Sequence, residues 1–195
     1  GSSRIEVIKS IVYGGLTESV TSLSIISSAA GGGASTLNVL ALGAANLIGG
    51  LIILFHSLWE LKNDLPEEEL VIQISDQTAA NGKDRYKELL GQRKNFAIHF
   101  TVSLLSFIVF GLVPLVAYGF SFRESDDREL KVVVTGSVSL VCILLLSIAH
   151  AYVMPPPKPY LNSISTFVVL GFAVSGISYG AGVLFQRLID GLGLF

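Results

Sequence analysis

Four stretches of this chain are long, apolar and nearly free of charge: residues 11–59, 100–122, 132–153 and 161–185. A helix needs roughly 20 apolar residues to cross the hydrocarbon core of a bilayer. The first stretch is long enough for two crossings, and Gly31-Gly32-Gly33 supplies the break between them. The pattern predicts an all-α integral membrane protein, a single transmembrane domain over residues 1–195. Five transmembrane helices are expected at about 9–31, 37–61, 98–122, 131–154 and 161–187, with a short cytosolic helical segment at 62–95. Composition agrees, since 14% of residues are charged, against about 25% in a soluble domain.

The same composition excludes several functions. A net charge of −2 and the lack of a basic patch with interleaved aromatics argue against nucleic acid. The one cysteine, Cys142, lies in an apolar run, cannot form an intrachain disulfide, and reads as a small buried hydrophobe. No CxxC, HExxH or P-loop pattern occurs and the three histidines are far apart, so an enzyme is not expected.

The first span differs from the rest. Its sequence, KSIVYGGLTESVTSLSIISSAAGGGAST over 9–36, carries one acid, Glu18, among small and hydroxyl residues. Gly14, Gly15, Thr21 and Ser22 share its helix face. Small residues let backbones approach and hydroxyls bond across helices, so this span belongs at the centre of the bundle. A carboxylate inside a membrane is a functional-site hypothesis by default. Out of water it resists ionisation and can hold either a proton or a cation.

The second span places Gly43, Asn46 and Gly50 on one stripe that continues to Ile53, His56 or Ser57, and Glu60, while Ala45 and Gly49 form a small-xxx-small pair. Asn46 is either interhelical glue or an oxygen ligand. His56 is either a snorkelling interfacial residue or, with Glu60, part of a cation entrance. Carboxylate, imidazole and amide oxygen together suit Mn²⁺ or Fe²⁺. In the polar segment, Pro66 followed by Glu67, Glu68 and Glu69 looks like a helix start. Tyr86, Leu89 and Leu90 give a weak apolar face suited to the membrane surface. Ser35-Thr36 is an expected N-cap, Pro114 an expected kink, and His150 an interfacial residue near the end of the fourth span. The loops on one side hold nine lysines and arginines and those on the other hold four, which puts the N-terminus in the cytosol and the C-terminus in the lumen.

Three segments carry a family resemblance. VYGGLTESVTS (12–22) is similar to the first-span pattern of vacuolar iron transporter (CCC1/VIT-like) proteins, in which an acid follows a glycine by three residues; Gly15 and Glu18 occupy those places. SFIVFGLVPLVAY (106–118) and VVLGFAVSGISYGAGVL (168–184) resemble the family's third and last spans. The resemblance implies a homodimer that moves divalent Fe²⁺ or Mn²⁺ from the cytosol into an intracellular compartment, endoplasmic reticulum or vacuole, in exchange for protons. The ion would be cargo and no cofactor would be bound permanently. Glu18, Asn46, His56 and Glu60 are the expected metal residues, with two copies of Glu18 facing one ion and His56 with Glu60 at the cytosolic mouth. The chain departs from the family pattern in three ways. Glu18 stands where aspartate is usual, the region around 52–54 is aliphatic where a methionine is usual, and the cytosolic segment is short. The missing methionine and the short segment favour the alternative expectation, a structural or regulatory membrane protein that kept the fold without transport, and the retained acid at Glu18 argues against it.

Overall fold

A computed structural model describes residues 2–64, 84–121 and 127–193, and among them no strand occurs. In chain order the helices are α1 (Ser2–Gly31), α2 (Thr36–Asn63), α3 (Arg85–Leu89), α4 (Phe96–Phe120), α5 (Arg128–Val153) and α6 (Tyr160–Leu192), and a 3₁₀ turn, Arg93–Asn95, leads into α4. Pro66, Glu67, Glu68 and Glu69 lie outside the described residues, as do residues 122–126.

Local chemistry sets the ends. α1 stops at the triple glycine, where Gly33 takes a positive φ of 78°. The Ser35 side chain then accepts the Asn38 amide at 3.3 Å and caps α2, as expected. Asp84 caps α3 by accepting the Tyr86 and Lys87 amides at 3.1 and 3.4 Å. α4 runs through Pro114 without interruption.

Among the described residues, four helical segments are long and apolar enough to cross a membrane: Thr36–Asn63, Arg93–Phe120, Arg128–Val153 and Tyr160–Leu192. α1 is as long, at 30 residues, but much more polar, and it packs against all four. The outer helices turn Ile52, Phe120, Val133, Leu161 and Ile177 outward, whereas α1 buries Ser10, Glu18, Ser19, Ser22 and Ser27. This inversion of the soluble pattern follows from the solvent. Lipid gives apolar side chains no reason to be inside, so the centre goes to residues that pack closely and bond to each other. Ser103 and Ser106 of α4 donate to the carbonyls of Ser10 and Ile11 at 3.1 and 2.6 Å. The hydroxyl pairs Ser24–Ser178 and Ser27–Ser175 join α1 to α6 at 2.7 and 3.0 Å. A Cβ on Gly14 would collide with the Ser103 carbonyl, and one on Gly182 with the Ser28 carbonyl, so both positions require glycine for the backbones to meet.

Two features differ from the sequence expectation. α1 begins at Ser2, ahead of position 9, because Lys9 donates to the Glu88 carbonyl at 2.9 Å, Glu6 accepts from Asn95 and His99, and the Ser10 carbonyl accepts from Ser103. Tyr86 and Leu90 do not lie on the membrane surface. They are fully buried in one cluster with Leu54, Leu58 and Leu61, because the apolar end of α2 offers them a dry partner. Arg93 fixes this arrangement by donating to the Lys62 carbonyl at the end of α2 at 2.6 Å and pairing with Asp84 at 2.9 Å.

Candidate functional site

Glu18 sits on α1 where α2 and α4 both approach, and it is 3% exposed. Its carboxylate occupies a notch that a Cβ on Gly111 would fill, lying 2.9 Å from Oε1. Ser22, one turn on, donates to the Gly111 carbonyl at 3.3 Å and ties α1 to α4 beside it. Among the described residues, the hydrogen bond that reaches the carboxylate is a long one, from Asn46 Nδ2 to Oε1 at 3.4 Å. A cavity of about 770 Å³ borders Glu18 and Asn46. Its walls include Tyr13 and Thr17 of α1, Ser57 of α2, Leu89 of α3 and His150 of α5. Toward the other end of α1, Ile26 and Ala30 pack against Val39, Leu115 and Tyr118. The cavity therefore extends from Glu18 toward the end of the bundle where α3 lies.

The stripe on α2 is partly reproduced. Gly43 faces Leu115, Gly50 faces Phe107, and Asn46 reaches Glu18. At the next turns the cavity takes Ile53 and Ser57, whereas His56 and Glu60 lie outside its wall. Those two face away, with side chains 79% and 67% exposed and a separation of 3.9 Å. Within one chain, Glu18 and Asn46 are brought together, and His56 and Glu60 are brought to each other. Among the described residues, no group of three or more His, Cys, Asp or Glu is close enough to hold a metal ion.

Sequence reasoning missed a second buried carboxylate. Glu6, in the first turns of α1, accepts from Asn95 Nδ2 at 2.8 Å, His99 Nε2 at 3.2 Å and the Gln92 amide at 3.4 Å. The Tyr86 hydroxyl lies 2.8 Å from His99 Nδ1, so a continuous chain runs Tyr86–His99–Glu6. Burial pushes the Tyr86 phenol up to about 12, which keeps it a donor to Nδ1 and puts the imidazole proton on Nε2, aimed at Glu6. Glu6 lies ahead of the expected span. Burial acts to raise its pKa, but the hydrogen bonds from Asn95, His99 and the Gln92 amide outweigh it and hold the carboxyl below the ordinary range. No local signal marks this cluster, since its members are up to 93 residues apart. His150 was expected at the interface; it is half-buried and lines the cavity.

Fold and site together define a multi-pass membrane protein with a buried carboxylate at the head of a cavity. The chain belongs to the VIT family, whose model matches residues 68–183, more than half of its length. Proteins of that family are membrane transporters, generally of metals, and not enzymes. Two relatives from Arabidopsis thaliana are similar over nearly the whole chain. One, a "Membrane protein of ER body-like protein", is 48% identical over 191 residues, covering 96% of this chain and 25% of its own length. The other, "Membrane protein of ER body 2", is 41% identical over 196 residues, covering 97% of this chain and 33% of its own length. The chain thus spans a quarter to a third of the curated relatives it matches.

Proposed function

We propose that this chain is the transport domain of a divalent cation carrier, moving Fe²⁺ or Mn²⁺ out of the cytosol in exchange for protons, with Glu18 as the exchanging carboxylate. One observation carries the reading: Glu18 is almost completely buried, weakly held by protein, and open to a cavity. A buried carboxylate that served only structure would be saturated with donors. With one long amide contact, Glu18 retains acceptor capacity for a proton or a cation, and either removes the cost of its isolated charge. Asn46 steadies it and adds an amide oxygen. On this reading α1 is the fifth span, its polar composition tolerated because the other four helices cover it.

A single copy supplies too few ligands for a divalent ion, and a homodimer answers that. Ala45 is exposed, a Cβ on Gly49 would meet nothing within 4 Å, and both sit on α2 beside the cavity. Small residues of this kind permit close helix approach between copies, which would add a second Glu18 to the site. His56 and Glu60 are then residues of the outer mouth, not of the ion site. The lysine and arginine balance supports a cytosolic N-terminus, with the end of the cavity toward α3 on the same side, and a lumenal C-terminus. The relatives' names favour endoplasmic reticulum over vacuole as the host membrane. The alternative, a structural membrane protein without transport, draws support from the sparse ligand set in one chain. Uptake of Mn²⁺ and Fe²⁺ into proteoliposomes, with and without a pH gradient, tests the reading. Uptake driven by the gradient and lost in Glu18→Gln is expected; undiminished uptake by that variant would remove the proposal's centre.

A further inference from the structure

Resting on the reading of Glu18 as the transport carboxylate, we propose that His150 is a second ligand of the same cavity, offering its Nε2 lone pair to a hydrated divalent transition-metal ion. Three hydrogen-bonding atoms set the tautomer of the neutral imidazole. Ser163 Oγ lies 3.1 Å from the Ser147 carbonyl and 3.2 Å from His150 Nδ1. A carbonyl only accepts, so the single hydroxyl proton of Ser163 goes to Ser147. The Ser163 oxygen is then an acceptor toward His150, and Nδ1 must carry the imidazole proton. That leaves Nε2 as the unprotonated nitrogen. Metal-binding histidines are held in the same way, one ring N–H anchored on a fixed acceptor while the other nitrogen faces the ion.

The surroundings agree with this assignment. Ser163 is buried, so the anchor is dry. The imidazole meets the Phe167 ring edge-on, with centroids 5.4 Å apart, which restricts its rotation. Phe167 and Ala149 pack against the cluster formed by Val12, Leu16 and Leu23 of α1 with Ile143 and Leu146 of α5, and His150 lines the same cavity as Glu18. Thr17 and Ser57 line the same space and offer hydroxyl oxygens to an ion that keeps part of its water shell. The other two histidines differ. His99 has both ring nitrogens engaged, by Tyr86 and Glu6, and His56 is exposed beside Glu60 outside the cavity wall. His150 is therefore the histidine with a nitrogen available to the cavity. Imidazole favours Fe²⁺, Co²⁺, Ni²⁺, Cu²⁺ and Zn²⁺ over Mn²⁺ and Mg²⁺, so His150 would bias which ion advances to Glu18.

The test uses the full chain in nanodiscs, in a His56→Gln parent so that the exposed imidazole adds no signal. With Cu²⁺ as probe, electron spin echo modulation detects the remote nitrogen of a coordinated imidazole. The expected result is modulation in the parent, its loss in His150→Gln, and a fall of roughly tenfold in Co²⁺ affinity with less than about twofold for Mn²⁺. Ser163→Ala, which removes only the anchor, should lower Co²⁺ affinity several-fold. Absence of modulation in the parent, which needs no substitution of His150, overturns the proposal, and so does modulation that survives His150→Gln. Uptake by Glu18→Gln, measured in parallel, separates the two readings. Loss of that uptake without imidazole modulation removes His150 alone, and retained uptake removes the transport reading itself.

Discussion

Glu6 and Glu18 lie on one helix, twelve residues apart, about 18 Å along its axis, and both are more than nine-tenths buried. Protein replaces their lost water in opposite ways. Glu6 takes a side-chain amide, an imidazole N–H and a backbone amide, at 2.8, 3.2 and 3.4 Å, from a segment folded against it. Glu18 takes one amide at 3.4 Å and faces a cavity. Burial alone therefore does not mark a working carboxylate. What separates the two is the acceptor capacity left over: none is needed at Glu6, whose partners hold the base of α1 to α3 and α4, and much remains at Glu18.

The comparison breaks first if Glu18 proves replaceable. Glu18→Gln keeps size and amide chemistry but cannot exchange a proton for a cation. Its uptake of Mn²⁺ in proteoliposomes should fall on the order of a hundredfold or more, at or beyond the upper end of what loss of a supporting group costs a metal site. Its melting temperature in detergent should hold or rise, because an isolated buried charge has been removed. Glu6→Ala should do the reverse. It strands the Asn95 amide and His99 Nε2 in a dry site, and breaking a buried charged network costs about 3–5 kcal/mol. The melting temperature should drop clearly, and the protein that remains folded should transport at rates near those of the wild type. Equal transport losses in the two variants would erase the distinction.

Acid sharpens the same contrast. Glu6 is held below its ordinary value of 4.5, so its contribution to stability is complete above that value and fades as pH falls through the still lower folded value. Asp84, whose pKa is lowered by Arg93 and by the backbone amides it caps despite burial, acts in the same direction. Hydrogen exchange of residues 84–95, corrected for its intrinsic pH dependence, should show loosening between about pH 5 and pH 3 in the wild type. In Glu6→Gln the segment should be looser at neutral pH and change less on acidification. A segment that tightens as pH falls would contradict the assignment.

How much of this was legible in the sequence follows from where each signal lives. Glu18 stands out because it is alone in a long uncharged stretch, and the glycines and hydroxyls around it mark a central helix by residue type alone. The N-cap at Ser35 and the apolar outer helices are equally local. Glu6 was invisible because it sits near Arg4 and Lys9 at a helix start, where an acid looks ordinary, and its partners lie beyond position 84. His150 stands near the end of an apolar run and reads as interfacial, and His99 stands at the start of another with nothing local to mark it. Only the packing of α4 on α1, and of α6 on α5, shows what their ring nitrogens meet. The extension of the α2 stripe left His56 and Ser57 as alternatives. At that turn the cavity wall takes Ser57 while His56 points outward, a rotation that helical spacing alone left open between the two residues.

The finest version of the comparison is made by two asparagines. Asn95 donates to Glu6 at 2.8 Å and Asn46 to Glu18 at 3.4 Å. The first is a short bond to a carboxylate, a class that contributes about 1.5–3 kcal/mol, and Asn95→Ala should lower stability by that order. The second is near the limit of a hydrogen bond, so Asn46→Ala should change stability by well under about 1 kcal/mol. Its effect should appear in function instead. Without the amide, the Glu18 carboxylate loses the group that orients it and the cavity loses an oxygen ligand, so the apparent affinity for Mn²⁺ should weaken several-fold while maximal uptake stays nearly unchanged. Asn46→Asp, which keeps the oxygen but sets a second carboxylate beside Glu18, should instead tighten cation binding and steepen its pH dependence, because protons and cations would then compete for a coupled pair. If Asn46→Ala proves as destabilising as Asn95→Ala, Asn46 is structural glue and Glu18 is as firmly held as Glu6.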